Sequence, residues 1–144
     1  MFMQKWFQQN KISKIGFEDV LYAFKNSEQY LIINTLTKDN QDCLIQNTIS
    51  IENEETIINE YINKNMCHKI KIILYGQNSS DASVDVKYKQ LTDLGFETYI
   101  YGGGMFEWLL LQDIYSHSEF PPTTKIVDIL KYKPKPTFHI QRLT

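Results

Sequence analysis

The residues from Ile70 to Ser83 have the layout of a reactive site without the reactive side chains. Ile70 to Tyr75 reads as a buried strand, and Gly76, Gln77, Asn78, Ser79, Ser80 and Asp81 form a small polar loop before the next helix. In an α/β sheet, the carboxyl end of a strand facing a helix N-terminus is where reactive groups and anion sites collect. This loop carries no Cys, His, Lys or Arg. Ser79 and Ser80 have no basic neighbour to draw off a hydroxyl proton, so neither is an activated nucleophile. Backbone N–H groups curving toward a helix N-terminus form an anion-binding nest whatever their side chains. Asp81 or Ser83 capping the helix satisfies those same groups internally, and capping is the simpler expectation.

The remaining chemistry-bearing residues are scattered. Cys67 and His68 precede the strand that the loop follows, so they belong at the opposite end of the sheet. Adjacent residues on an extended segment point to opposite sides, and no second pair completes a metal site. A surface histidine and a partly buried thiol are expected. Cys43 is expected near the loop without a catalytic part, and His117 and His139 fall in loop or tail positions. No metal ligand set, catalytic residue or cofactor site is expected.

The elements that must position the loop follow from hydrophobic spacing. Phe17, Val20, Leu21 and Phe24 predict a short amphipathic helix. Tyr30 to Ile33 is a compact buried strand, and Thr48 to Ile51 reads as another. Ile57, Ile58, Tyr61 and Ile62 make a helical stripe. Val84, Tyr88, Leu91 and Leu94 predict a helix that stops at Gly95. Thr98 to Tyr101 is the next strand, broken by Gly102, Gly103 and Gly104. Met105 to Tyr115 is a helix apolar almost all round, which implies burial on more than one side. After Pro121 and Pro122, an amphipathic turn or helix is expected around Ile126, Val127, Ile129 and Leu130. Pro134 and Pro136 punctuate a basic extended tail. Strands alternating with helices imply a parallel sheet.

Composition narrows the function classes. At 144 residues the chain has room for one core, and a net charge of -2 gives nucleic acid nothing to favour. Hydrophobic residues at 42% and aromatics at 13% fit a packed domain. No apolar run approaches the roughly 20 residues that span a bilayer. The first residues are too short and too polar for a signal peptide. Two cysteines, Cys43 and Cys67, fit a reducing compartment. A cytoplasmic protein, including one in a cytoskeletal or other intracellular assembly, is expected.

The order of motifs resembles the rhodanese-like domain family over roughly residues 12 to 116. Tyr30 to Thr35 is similar to that family's strand ending in an Asp-x-Arg-like turn. Cys43 to Ile51 resembles its Gly-His-Ile-x-Gly-Ala segment, and Ile70 to Ser83 its strand and active-site loop. Leu91 to Phe96 matches the Leu-x-x-x-Gly-Phe helix end. Gly103 and Gly104 followed by Trp108 match the closing Gly-Gly-x-x-x-Trp signature. The resemblance implies an α/β, three-layer domain with a central, mostly parallel β-sheet flanked by helices. It also implies a Cys nucleophile directly after Tyr75, because sulfur transfer in the family passes through a persulfide. Here that position is Gly76, which has no side chain to carry sulfur. Phosphatases and arsenate reductases of this fold add an Arg for the oxyanion, and this loop has Asp81, which repels an anion. Asn34, Thr35 and Leu36 lack both charges of the Asp-x-Arg turn.

These departures predict a catalytically inactive rhodanese-like module that acts through protein contacts, as a regulatory or structural part of a larger assembly. The alternative is an unconventional sulfurtransferase or phosphatase. The expected organisation is an N-terminal extension over 1–11, the domain over 12–116 and a C-terminal extension over 117–144. Phe2, Trp6 and Phe7 before the domain, and Phe138 and Ile140 after it, are the candidate partner contacts. Phe2, Met3, Trp6 and Phe7 suit one face of a short docking helix. Lys125, Lys131, Lys133, Lys135 and Arg142 make the C-terminal part basic and suited to an acidic protein surface.

Overall fold

A computed structural model describes residues 12–115, 120, 123 and 128–138. The elements run β1 (Lys14–Ile15), α1 (Phe17–Lys25), β2 (Tyr30–Asn34), α2 (Ile51–Asn63), β3 (Lys71–Tyr75), α3 (Ala82–Asp93), β4 (Glu97–Tyr101) and α4 (Gly104–Ile114). The four strands form one parallel sheet in the order β1-β4-β3-β2. Helices cover both faces, giving the three-layer α/β arrangement.

The central strand shows why the layers form. Ile72, Ile73, Leu74 and Tyr75 of β3 are all buried, as a strand covered on both faces requires. Ile73 and Tyr75 point to one face, packed with Val20 and Ala23 of α1 and Met105, Trp108 and Leu109 of α4. Ile72 and Leu74 point to the other, packed with Ile58 of α2 and Val84 and Leu91 of α3. The register pairs Ile32 with Ile73 and Ile33 with Leu74, so β2 divides its side chains between the same two cores.

Gly95 ends α3 as the spacing predicts. Its φ of 102° lies in the left-handed region that glycine enters without steric cost. Gly95 N–H donates to Thr92 O at 3.0 Å and Phe96 N–H to Leu91 O at 3.2 Å, while Leu91 and Phe96 share a core. That is a Schellman stop with its hydrophobic contact.

Three local readings change. The strand expected at Thr48 to Ile51 shrinks to one parallel bridge between Thr48 and Ile32. Asn47 has a φ of 69°, Thr48 N–H turns back to Ile45 O at 3.1 Å, and Ile51 already opens α2, so no length of extended chain remains. β1 was not expected. It has only two residues, and Ser13 O accepts from Ile100 N–H at 2.8 Å beside it. The C-terminal turn is a 3-10 turn over Ile129–Tyr132, where Tyr132 is buried and Leu130 is 60% exposed. Ile126 and Val127 lie outside the described residues.

Phe120 and Tyr132, in the segment beyond residue 116, belong to the α1–α4 core. Among the described residues no helix is long and apolar enough to cross a membrane.

Candidate functional site

Strand β3 delivers Gly76 to the top of the sheet, and α3 and α4 close on it from opposite faces. A Cβ built on Gly76 meets Asp81 Oδ2 at 2.4 Å and Val84 Cγ2 at 2.6 Å. The volume that a nucleophile's side chain needs is therefore occupied by a carboxylate and a methyl group. Gly104, at the start of α4, has a φ of 63°, and a Cβ there meets Gly76 O at 2.6 Å. Two glycines let the loop and the helix touch backbone to backbone, which no larger residue allows.

Asp81 acts as the loop's own anion. Its Oδ2 accepts from Gln77 N–H at 2.9 Å. Its Oδ1 accepts from Ser83 N–H at 3.1 Å and from Ser83 Oγ at 2.6 Å. Of the two capping residues expected, Asp81 is the N-cap of α3. Asn78 serves the same end: its Oδ1 accepts from Ser80 N–H at 2.9 Å, and its carbonyl from Asp81 N–H at 3.3 Å. On the other side, Met105 and Phe106 N–H donate to Gly76 O and Gln77 O, both at 2.9 Å. Gln77, Ser80, Asp81 and Ser83 N–H, four of the groups that could cradle an oxyanion, are thus engaged by the protein itself. Ser79 and Ser80 are exposed at the tip.

The turn after β2 is held by uncharged side chains. Asn34 is 3% exposed, and its Oδ1 accepts from Leu36 N–H at 2.9 Å and from Gln41 Nε2 at 2.7 Å. Asn34 Nδ2 donates to Gln41 Oε1 at 3.1 Å. An amide pair satisfies both partners at this buried point with no net charge. Ser83 Oγ and Thr35 Oγ1 lie within hydrogen-bond distance at 3.1 Å, tying the turn to α3. Beside this contact lies an open groove of about 450 Å³, whose lining includes Thr35, Ser83 and the ion-paired Glu54 and Lys87.

Beneath the loop, Cys43, Tyr75 and Tyr132 are all 0% exposed. Ile45 N–H donates to the Tyr75 hydroxyl at 3.1 Å, and Thr48 Oγ1 shares a hydrogen bond with it at 2.8 Å. Burial pushes the phenol of Tyr75 up, and likewise that of Tyr132, which lies against Cys43. Both phenols are neutral at physiological pH and give no base for a thiol. Asn78 Nδ2 reaches out of the loop to donate to Tyr132 O at 2.8 Å, a buried bond across 54 residues. Neither this bond nor the Asn34–Gln41 pair was found from sequence. A buried-type Tyr between two exposed lysines was the one available signal.

Cys67 sits in the 3-10 turn before β3, at the far end of the sheet from the loop, with His68 exposed beside it. Among the described residues no group of three or more His, Cys, Asp or Glu side chains could hold a metal ion. The chain has one arginine, Arg142. It lies outside the described residues, as do Phe2, Met3, Trp6, Phe7, His117, Lys125, His139 and Ile140. Phe138 is described and is 78% exposed.

No family model matches this chain. No curated protein matches it either. Solved structures do share its fold. A protein from Lactobacillus plantarum is 18% identical over 69% of this chain and 83% of its own, with a TM-score of 0.55. The BH2092 protein from Bacillus halodurans is 16% identical over 74% of this chain and 77% of its own, at 0.53. An As-Sb reductase from Leishmania major is 15% identical over 73% and 79%, at 0.50. At these identities the likeness is one of fold.

Proposed function

We propose that this chain is a catalytically inactive rhodanese-like module of the cytoplasm that acts through protein contacts, as a regulatory or structural component of a larger assembly. One observation carries the reading. At the position where the family places its nucleophile, Gly76 has no side chain, and Asp81 and Val84 fill the space one would need. The order of motifs from Tyr30 to Trp108 supports the rhodanese-like assignment, and the fold shared with an As-Sb reductase agrees with it. A reductase or sulfurtransferase needs a reachable thiolate. Cys43 is 0% exposed beneath the loop and Cys67 is at the opposite end of the sheet, so neither thiol meets that need.

Thiosulfate:cyanide transferase and aryl-phosphate hydrolysis assays on the full chain test the inactive reading. The expected result is no turnover above buffer. Turnover that disappears in Cys43→Ser or Cys67→Ser overturns it. A complementary test pairs Gly76→Cys with Asp81→Ala, which makes room for the sulfur. Transfer of one sulfur atom from thiosulfate to this double variant, seen by cyanolysis, supports descent of the loop from a sulfurtransferase site. The contact role is tested by co-purification from native extract, comparing the intact chain with one lacking residues 1–11 and 134–144. Loss of partners on truncation is expected, and equal recovery sinks the docking role of the two ends.

A further inference from the structure

Beyond α4, Phe120 and residues 128–138 present two unlike sets of side chains. Inward, Phe120 is 2% exposed, its ring 5.2 Å from Trp108, 5.4 Å from Phe17 and 5.6 Å from Tyr115. Tyr132 is fully buried and accepts the Asn78 hydrogen bond through its carbonyl. Asp128 Oδ1 accepts from Leu130 N–H at 3.1 Å, so the one carboxylate described in this segment caps its 3-10 turn. Outward, Lys131, Lys133 and Lys135 are exposed, with Leu130 60% and Phe138 78% exposed around them. Among the described residues the ion pairs lie elsewhere, at Lys71–Glu97, Lys87–Glu54 and Lys89–Asp93.

We propose that this outward face, formed by Leu130, Lys131, Lys133, Lys135 and Phe138, is a docking surface for an acidic polypeptide segment with apolar side chains among its carboxylates. The inference rests on the protein-contact reading and names the partner's chemistry. Two aromatic plugs and a buried hydrogen bond hold the strap, so part of its ordering entropy is lost on folding rather than on binding. Lys133 has φ -63° and ψ 150°, and a residue before proline is restricted to such extended geometry. The run from Lys133 to Pro136 is therefore a stiff edge that presents its lysines at a near-constant spacing. Proline lacks an N–H, so Pro134 and Pro136 interrupt strand addition and leave recognition to side chains. The charge favours a short acidic segment over a polyanion. On the extended run, Lys133 and Lys135 are spaced by only about 6 Å at the roughly 3.1 Å rise of proline-rich chain, with Lys131 in the turn just before it. The chain as a whole is acidic, at -2, which repels an extended nucleic acid or an anionic membrane.

The test uses the full chain and a labelled 12-residue probe peptide of Glu and Asp with two leucines, read by fluorescence anisotropy. The triple variant Lys131→Glu, Lys133→Glu, Lys135→Glu alters exposed side chains only and keeps its circular dichroism. It is expected to bind the probe at least about tenfold more weakly, because like charges brought together at an interface repel. A control triple, Lys38→Glu, Lys64→Glu, Lys69→Glu, changes exposed lysines elsewhere and is expected to keep wild-type binding. Leu130→Ser and Phe138→Ser each weaken binding, separating docking from bare charge attraction. No binding by the wild-type chain, or equal loss in the two triple variants, overturns the proposal. So does tighter binding of a single-stranded oligonucleotide or of phosphatidylserine-containing vesicles than of the peptide. Co-purification separates the two levels: native partners recovered equally by the strap variant refute this surface alone, whereas none recovered by the wild-type chain also refutes the protein-contact reading.

Discussion

The loop Gly76–Asp81 and the strap 128–138 meet at one hydrogen bond, Asn78 to Tyr132, yet they use their polar groups in opposite ways. The loop turns its donors inward: Asp81 takes Gln77 and Ser83 N–H, Asn78 takes Ser80 N–H, and loop carbonyls take the N-terminus of α4. The strap turns Tyr132 inward and leaves Lys131, Lys133, Lys135 and Phe138 exposed, with Lys131 Nζ 5.8 Å from the Tyr132 ring centroid. With Gln77, Ser80, Asp81 and Ser83 N–H already taken, the loop has fewer donors left for an anion. The exposed lysines of the strap form no ion pair among the described residues. On the proposed reading, the loop's polar groups serve structure and the strap serves contact.

The largest test of this contrast is Tyr132→Ala. If the strap is part of the core, removing a fully buried aromatic costs about 3–5 kcal/mol in denaturant unfolding. The same change is expected to make Cys43 reactive toward a thiol reagent under native conditions. A loss below about 1 kcal/mol, within the range of an ordinary surface change, would show the strap to be peripheral.

Next is Gly76→Cys. The intruding Cβ forces Asp81 or Val84 to move, and such overpacking costs about 1–3 kcal/mol. Adding Asp81→Ala relieves part of the clash, so the double variant is expected to be less destabilised than the two single changes summed, by a coupling of about 0.5 kcal/mol or more. Strict additivity would mean that Asp81 does not occupy the nucleophile's space.

Asp81→Ala alone removes the cap on α3 and is expected to cost about 1 kcal/mol. It also frees Gln77 and Ser83 N–H, so inorganic phosphate is expected to raise the melting temperature of this variant more than that of the wild-type chain. Equal phosphate shifts would show that the carboxylate is not standing in for an anion.

The smallest effect concerns pH and vanishes near neutrality. Burial pushes the phenols of Tyr75, Tyr101 and Tyr132 up from the ordinary value of 10.0, and the hydrogen bond to Glu97 is the main cause that moves Tyr99 up to about 12. Unfolded tyrosines release protons first, so this contribution to stability is complete below pH 10 and is lost as pH rises through the folded values. The denaturant midpoint is expected to hold to about pH 9–10 and fall above it, less steeply in Tyr132→Phe. A flat profile to pH 12 would contradict the burial of these hydroxyls.

Much of the fold was legible because it is written in short-range spacing. The stripes at Phe17–Phe24 and Ile57–Ile62, the continuous run before Tyr75 and the stop at Gly95 each correspond to one element of the structure. Asp81 was legible as a cap, since capping joins residues two positions apart. Two-residue β1 carries too short a pattern to show, and Thr48 to Ile51 has strand-like residues that a left-handed Asn47 and an early α2 prevent from extending. At the site, the pairing of Asn34 with Gln41 and the plug at Tyr132 depend on which segments the sheet brings together.

The sequence by itself determined the alternation of strands and helices and the absence of a thiol after Tyr75, because residue spacing and side-chain identity are covalent facts. Only the tertiary structure decided that the space beside Gly76 is filled by Asp81 and Val84, and that Tyr132 rather than Leu130 turns inward. Those outcomes follow from close packing between segments far apart in the chain, and no local pattern encodes which atoms will compete for the same volume.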